Sequence, residues 1–167
     1  MTVRFDPPAP PSAVMRWLFR LPVYFFRAGL GFLFGSRIAM LEHVGRKSGR
    51  IRYTCVEVVD RDGDVLVIVS GFGEGSQWYR NLVAHPAIHV RVGRQRRAVS
   101  AELVSPAAGA DIMADYAQRY PKLAPKLMEV CGAHIDGTES DYREVAEKRL
   151  RFVRLVPRSN GSVQSGD

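Results

Sequence analysis

The feature that most restricts the fold is a pair of strand couples, each closed by a glycine-bearing turn. Ile88, Val90 and Val92 alternate with His89 and Arg91, Gly93-Arg94-Gln95 reverses the chain, and Arg97, Val99, Ala101 and Leu103 follow. Such period-two alternation places apolar side chains on one face of a strand. Upstream, Ile51 to Val59 and Val65 to Val69 flank Asp60-Arg61-Asp62-Gly63-Asp64, whose Asp-Gly pair is a hairpin signal. Arg37 to Val44 reads as a strand before them and Leu150 to Val156 as one after. About six strands with few helices predict a mainly β protein of the α+β class, built on a small closed or half-closed barrel.

Helices fill the intervals. Ser76 is a good N-cap for a short helix that Pro86 stops, and Ser105-Pro106 opens one that runs to about Tyr120. The segment from Pro121 to Glu147 reads as helical but interrupted by Pro125, Gly132 and Gly137. Four stretches follow: a flexible proline-rich arm over 1–12, an amphipathic helical segment over 13–36, the barrel domain over 37–157, and a disordered Ser/Gly-rich tail over 158–167. From Ala13 to Phe34 only Arg16, Arg20 and Arg27 break an apolar run, and at helical spacing they share one face. Trp17, Leu18, Leu21, Phe25 and Leu30 make the apolar face beside them, with a kink or restart at Pro22. The pattern fits an interfacial helix on a membrane surface over 13–34, and equally a helix that covers one end of the barrel.

Charge narrows the partners. The net charge is +7, but residues 1–50 carry eight Lys/Arg against two Asp/Glu, and the remaining residues sixteen against fifteen. The excess is local, so no extended phosphate track and no nucleic-acid partner is expected. Cys55 and Cys131 stand far apart, and His43, His85, His89 and His134 show no ligand spacing, so neither a disulfide framework nor a metal site is indicated. The N-terminal residues lack the pattern of a secretory signal, which points to the cytoplasm, with peripheral attachment to the inner face of the membrane as the alternative.

Two motifs could carry chemistry. Gly45-Arg46-Lys47-Ser48-Gly49-Arg50 sets three cations and a hydroxyl between two strands, with glycines able to turn backbone N–H groups inward. Such a loop suits a phosphate, although an ordinary solvated hairpin turn has the same composition. Ser70-Gly71-Phe72-Gly73-Glu74-Gly75-Ser76 then precedes Gln77-Trp78-Tyr79-Arg80-Asn81-Leu82. Its glycines would let a flat ring approach the backbone, and Phe72, Trp78 and Tyr79 could wall it. Trp78 and Leu82, one helical turn apart, read equally well as core.

In this order and spacing, Gly-Arg-Lys-Ser-Gly-Arg, the hairpin, the glycine-rich turn and Trp-Tyr-x-Asn-Leu-x-x-x-Pro (Trp78 to Pro86) resemble the deazaflavin-dependent nitroreductase family of actinobacteria, best over Ile38 to Val92. The resemblance implies a split β-barrel related to FMN-binding proteins, with coenzyme F420 as cofactor and FMN as the alternative. It places Arg46, Lys47, Ser48, Gly49 and Arg50 at the cofactor phosphate, Ser70, Gly71 and Phe72 near the deazaflavin, and Trp78 and Asn81 around the pocket. The cofactor would deliver a hydride to an apolar, quinone-like or unsaturated acceptor, with the proton drawn from solvent or from Tyr120. Three traits depart from the family pattern. Leucine, alanine and lysine follow Tyr120-Pro121 where nitroreducing members carry tyrosines, Cys55-Val56-Glu57 stands where Pro-Leu is usual, and Met128 to Glu147 is an extension. With Arg20-Leu21-Pro22-Val23-Tyr24, these look like a divergent branch associated with membranes and fatty acids, which keeps a lipid or fatty-acid carrier on the same barrel as an alternative. Barrels of this class often pair, so a homodimer is also an open expectation.

Overall fold

A computed structural model describes residues 3–6 and 21–159. Its frame is a closed antiparallel barrel of six strands in the order β2 (Ile38–Val44), β3 (Ile51–Asp62), β4 (Val65–Ser70), β8 (Arg151–Pro157), β6 (Gln95–Leu103) and β5 (Ala87–Val92). The alternation in the sequence becomes the two faces of this wall. Leu41, Val58, Ile68, Val90, Val99, Val153 and Leu155 turn inward and fill the barrel. The hairpin signals hold as well: Asp62 pairs with Val65, and Val92 with Gln95. Each two-residue turn starts with a glycine at positive φ, Gly63 at 55° and Gly93 at 56°, the first-position requirement of a type II′ hairpin.

Outside the wall formed by β3, β4 and β8 lies a second core. It contains Val59, Val67, Val69 and Phe152 from the strands, packed against Met113, Tyr116, Met128 and Val145. Those residues belong to α3 (Pro106–Arg119), α4 (Ala124–Val130) and α5 (Glu139–Lys148). Ser105 caps α3 by accepting from the Ala108 N–H, as its position predicts. Pro125 opens α4 in its first turn, where its missing N–H costs nothing, and does not break a longer helix. The short helix predicted from Ser76 is α2 (Gln77–Ala84), which lies over the barrel end nearest the basic loop.

Two N-terminal expectations change. Residues 3–6 do not behave as a free arm, because β1 (Arg4–Phe5) pairs with β7 (Ala133–His134), Val3 is buried, and the Asp6 N–H donates to Gly132 O at 2.8 Å. Residues 7–20, with Arg16, Arg20, Trp17 and Leu18, lie outside the described residues. Residues 21–27 form helix α1, followed by a 3-10 turn at Gly31–Phe34. The residue that docks α1 is Phe26, fully buried and stacked on Phe34 at 5.7 Å, whereas Phe25 and Leu30 of the apolar face read from the sequence are more than a third exposed. At the other terminus the Arg158 N–H still bonds to Ala98 O, and the tail from residue 160 onward lies outside the described residues.

Candidate functional site

The basic loop closes on itself before it can meet a ligand. Gly45 donates to Arg50 O, Ser48 and Gly49 donate to Gly45 O, and the Arg50 N–H reaches Ser48 Oγ at 3.4 Å. The Arg46 N–H goes to Asn81 Oδ1 at 3.1 Å. Only Lys47 keeps a backbone donor without a partner among the described residues. The expected cradle of inward N–H groups is therefore absent, and an anion here must be held mainly by side chains. Lys47, Ser48, Gly49 and Arg50 are all exposed.

The loop is braced from α2. Asn81, 5% exposed, accepts from both the backbone and the Nη1 of Arg46, the latter at 3.0 Å, which leaves its Nδ2 to donate to His43 Nδ1 at 3.1 Å. An accepting Nδ1 requires a neutral imidazole with its proton on Nε2. Burial agrees: it pushes the His43 pKa down to about 4, with Arg52 adding repulsion. Arg46 and Asn81 thus come together from two motifs, through a histidine that the motif reading passes over. The signal for His43 lies in strand alternation, which turns it inward after Ala39 and Leu41. Arg52, opposite His43 on β3, is the other residue missed. Arg46, Lys47, Arg50 and Arg52 make four cations on one short stretch. Among the described residues none has a carboxylate within salt-bridge distance. Uncompensated like charges on a braced loop fit an anionic group such as a phosphate.

The glycine-rich turn is more occupied than its sequence suggests. Ser70 is buried; its hydroxyl donates to Gly73 O at 2.8 Å and lies 2.6 Å from Ser76 Oγ. A Cβ on Gly71 would come within 2.8 Å of Cys131 Sγ, and one on Gly73 within 2.4 Å of Arg149 O. These glycines bring the turn against the outer core. Phe72 remains exposed, and Trp78 packs half-buried on the barrel core beside Leu82. Burial lifts the thiol pKa of Cys55 and of Cys131 to about 12, so neither is a reactive thiolate.

Tyr120 stands elsewhere. It lines a cleft with Ser36, Arg37, Asp60, Arg61 and Arg119 at the far ends of β2 and β3. Seven residues of β2 separate that cleft from the loop, on the order of 20 Å. Between them, on the outer face of β3, Glu57 accepts from Tyr116 OH at 2.5 Å and from Arg37 Nη2 at 3.2 Å. Burial and this carboxylate hold the Tyr116 phenol well above its ordinary pKa.

Comparisons agree with this architecture. A family model described as F420H(2)-dependent quinone reductase matches residues 23–130. A Mycobacterium tuberculosis protein described as an F420H(2)-dependent quinone reductase, Rv3178, is 37% identical over 81 residues, 47% of this chain and 68% of that one. Among solved structures, the conserved hypothetical protein Rv2991 of Mycobacterium tuberculosis superposes with a TM-score of 0.53 at 20% identity, covering 79% of this chain and 80% of that chain. The Agrobacterium tumefaciens protein Atu2129 gives 0.54 at 18% identity, covering 90% and 60%. At such identities the two structures speak to the fold alone, and they support the split barrel.

Proposed function

The chain belongs to the F420H(2)-dependent quinone reductase family, and from that premise we propose that it binds coenzyme F420 by its phosphate at the loop 45–50 and reduces a quinone-like or unsaturated organic acceptor. Family membership makes it an oxidoreductase and favours the deazaflavin over FMN. The observation that carries the site assignment is the set of cations without acidic partners at Arg46, Lys47, Arg50 and Arg52, on a loop fixed to α2 by Asn81. When bound, a reduced deazaflavin supplies the hydride. The residues of this chain then have three tasks. Lys47, Arg50 and Arg52 attract and hold the phosphate, with Ser48 Oγ as a neutral donor. Asn81 and neutral His43 keep Arg46 and the loop in one geometry. The glycine turn, with Phe72 exposed beside it and Trp78 packed below, borders the ring. The proton that accompanies the hydride comes from solvent or from Tyr120.

A second reading has its own observation. Tyr24, Phe25, Leu30, Phe32 and Leu33 are exposed together around α1, beside Arg27. This cluster favours a peripheral position on the cytoplasmic face of a membrane. Flotation with anionic vesicles tests it, and a protein that stays wholly unbound would remove that location without touching the cofactor site.

The experiment for the main reading is fluorescence titration of the protein with F420, with FMN in parallel. The expected result is tight, saturable binding of F420 and weaker binding of FMN. Lys47→Glu with Arg50→Glu should weaken F420 binding by roughly tenfold or more per contact, given about 1.5–3 kcal/mol for each charge-assisted bond. Unchanged affinity in the folded double variant would take the loop out of the site.

A further inference from the structure

The cleft around Tyr120 is a second concentration of positive charge, separate from the basic loop. It has a volume of about 110 Å³, enough for one small polar group and little more. Arg37, Arg61 and Arg119 line it from the residue before β2, the end of β3 and the end of α3. Each guanidinium offers five N–H donors, and Arg37 and Arg61 each spend one of them among the described residues. Arg37 gives Nη2 to Glu57, and Arg61 gives Nη2 to Ser36 O at 3.2 Å and has no carboxylate partner among the described residues. Arg119 is the most committed, to Asp60 Oδ1 at 3.0 Å, Val59 O at 3.4 Å and Asp115 O at 3.4 Å.

The Tyr120 ring lies 4.4 Å from the Arg37 guanidinium, 5.7 Å from that of Arg119 and 5.1 Å from the Tyr116 ring. These neighbours hold the ring, and its hydroxyl has no hydrogen-bond partner among the described residues. A half-buried tyrosine held in this way presents a donor to the cleft. Charge decides what the donor meets. Three arginines against Asp60 and Glu57 leave an excess of one positive charge, which a monoanion neutralises and a dianion would overshoot, in contact with the Asp60 carboxylate.

We infer that this cleft is a binding site for the carboxylate of a small organic acid, held by Arg61 and Arg37 and by the Tyr120 hydroxyl. The site stands on its own geometry, independent of whether the loop 45–50 takes a deazaflavin. Planar, two-oxygen recognition suits guanidinium forks.

Calorimetric titration of the full chain with benzoate, and with inorganic phosphate in parallel, tests the inference. Saturable benzoate binding is expected, tighter than that of phosphate. Arg61→Ala should weaken it by about tenfold or more and Tyr120→Phe several-fold, while Lys47→Glu with Arg50→Glu leaves it unchanged. Arg61 is exposed and bonds only to one backbone oxygen among the described residues, so its removal spares the fold. No saturable binding to the folded wild type, equal affinity in Arg61→Ala, or a preference for phosphate would each overturn the assignment. Loss of benzoate binding in the loop variant but not in Arg61→Ala would place the anion at the loop and overturn it as well. Neither result depends on F420 binding, so the two sites fail or stand separately.

Discussion

At the scale of single residues, the site depends on a buried histidine that must stay uncharged. His43 is 4% exposed, and its pKa of about 4 lies below the ordinary 6.5. Between those values the unfolded chain binds a proton that the folded one refuses, so stability falls as the pH drops from about 6.5 toward 4. The full difference is about 3 kcal/mol, at roughly 1.4 kcal/mol per pKa unit. His43→Leu cannot titrate, and its denaturation midpoint should fall less than that of the wild type between about pH 7 and pH 4.5. Parallel pH profiles for the two proteins would show that His43 is not the group involved. Asn81→Leu probes the other end of the chain of bonds. It strands the buried Nδ1 of His43 and frees Arg46, and should cost about 1–3 kcal/mol in urea unfolding and loosen F420 binding in the same titration. The two motifs name both Arg46 and Asn81 from sequence. What no spacing rule conveys is that residues 35 positions apart share two hydrogen bonds, because that depends on how α2 lies across the barrel end.

Elements were legible where a local rule governs them. Alternation with a first-position glycine specifies both hairpins, and Ser105-Pro106 specifies the start of α3. Pairs of two residues have no such pattern, which is why β1 and β7 could not be read. Their pairing is accompanied by the Asp6–Gly132 and Arg149–Asp6 contacts, which join residues more than 120 positions apart and follow no local pattern. The break at Gly137 likewise hides a clear start signal. Thr138 Oγ1 accepts from the Asp141 N–H at 3.2 Å, and Asp141 Oδ2 accepts from the Thr138 N–H at 3.0 Å, a reciprocal capping box for α5. Thr138→Ala should lower stability by about 1 kcal/mol without altering F420 binding. Thermal unfolding and cofactor titration on the same sample check both halves of that statement. A matching loss of affinity would mean that α5 reaches the site through contacts other than those seen here.

For the whole molecule, the decisive feature is that one sheet serves two cores. Neighbouring residues of β8 divide between them, with Phe152 in the outer core and Val153 inside the barrel, and β4 does the same with Val67 and Ile68. The barrel cannot lose its wall without releasing α3, α4 and α5, and these helices have no other face to cover. The two cores should therefore unfold as one cooperative unit. Leu66→Ala, inside the barrel, and Met128→Ala, in the outer core, remove side chains that are each 1% exposed and should cost about 2–5 kcal/mol apiece. If the cores are coupled, urea unfolding followed by far-ultraviolet circular dichroism and by tryptophan fluorescence will coincide for both variants, with lower midpoints and an unchanged slope. A second transition, confined to the circular dichroism of Met128→Ala, would show that the helical layer melts from an intact barrel. The loop bracing at Arg46, Asn81 and His43 would then survive in the partly unfolded state, and F420 binding would persist through the first transition.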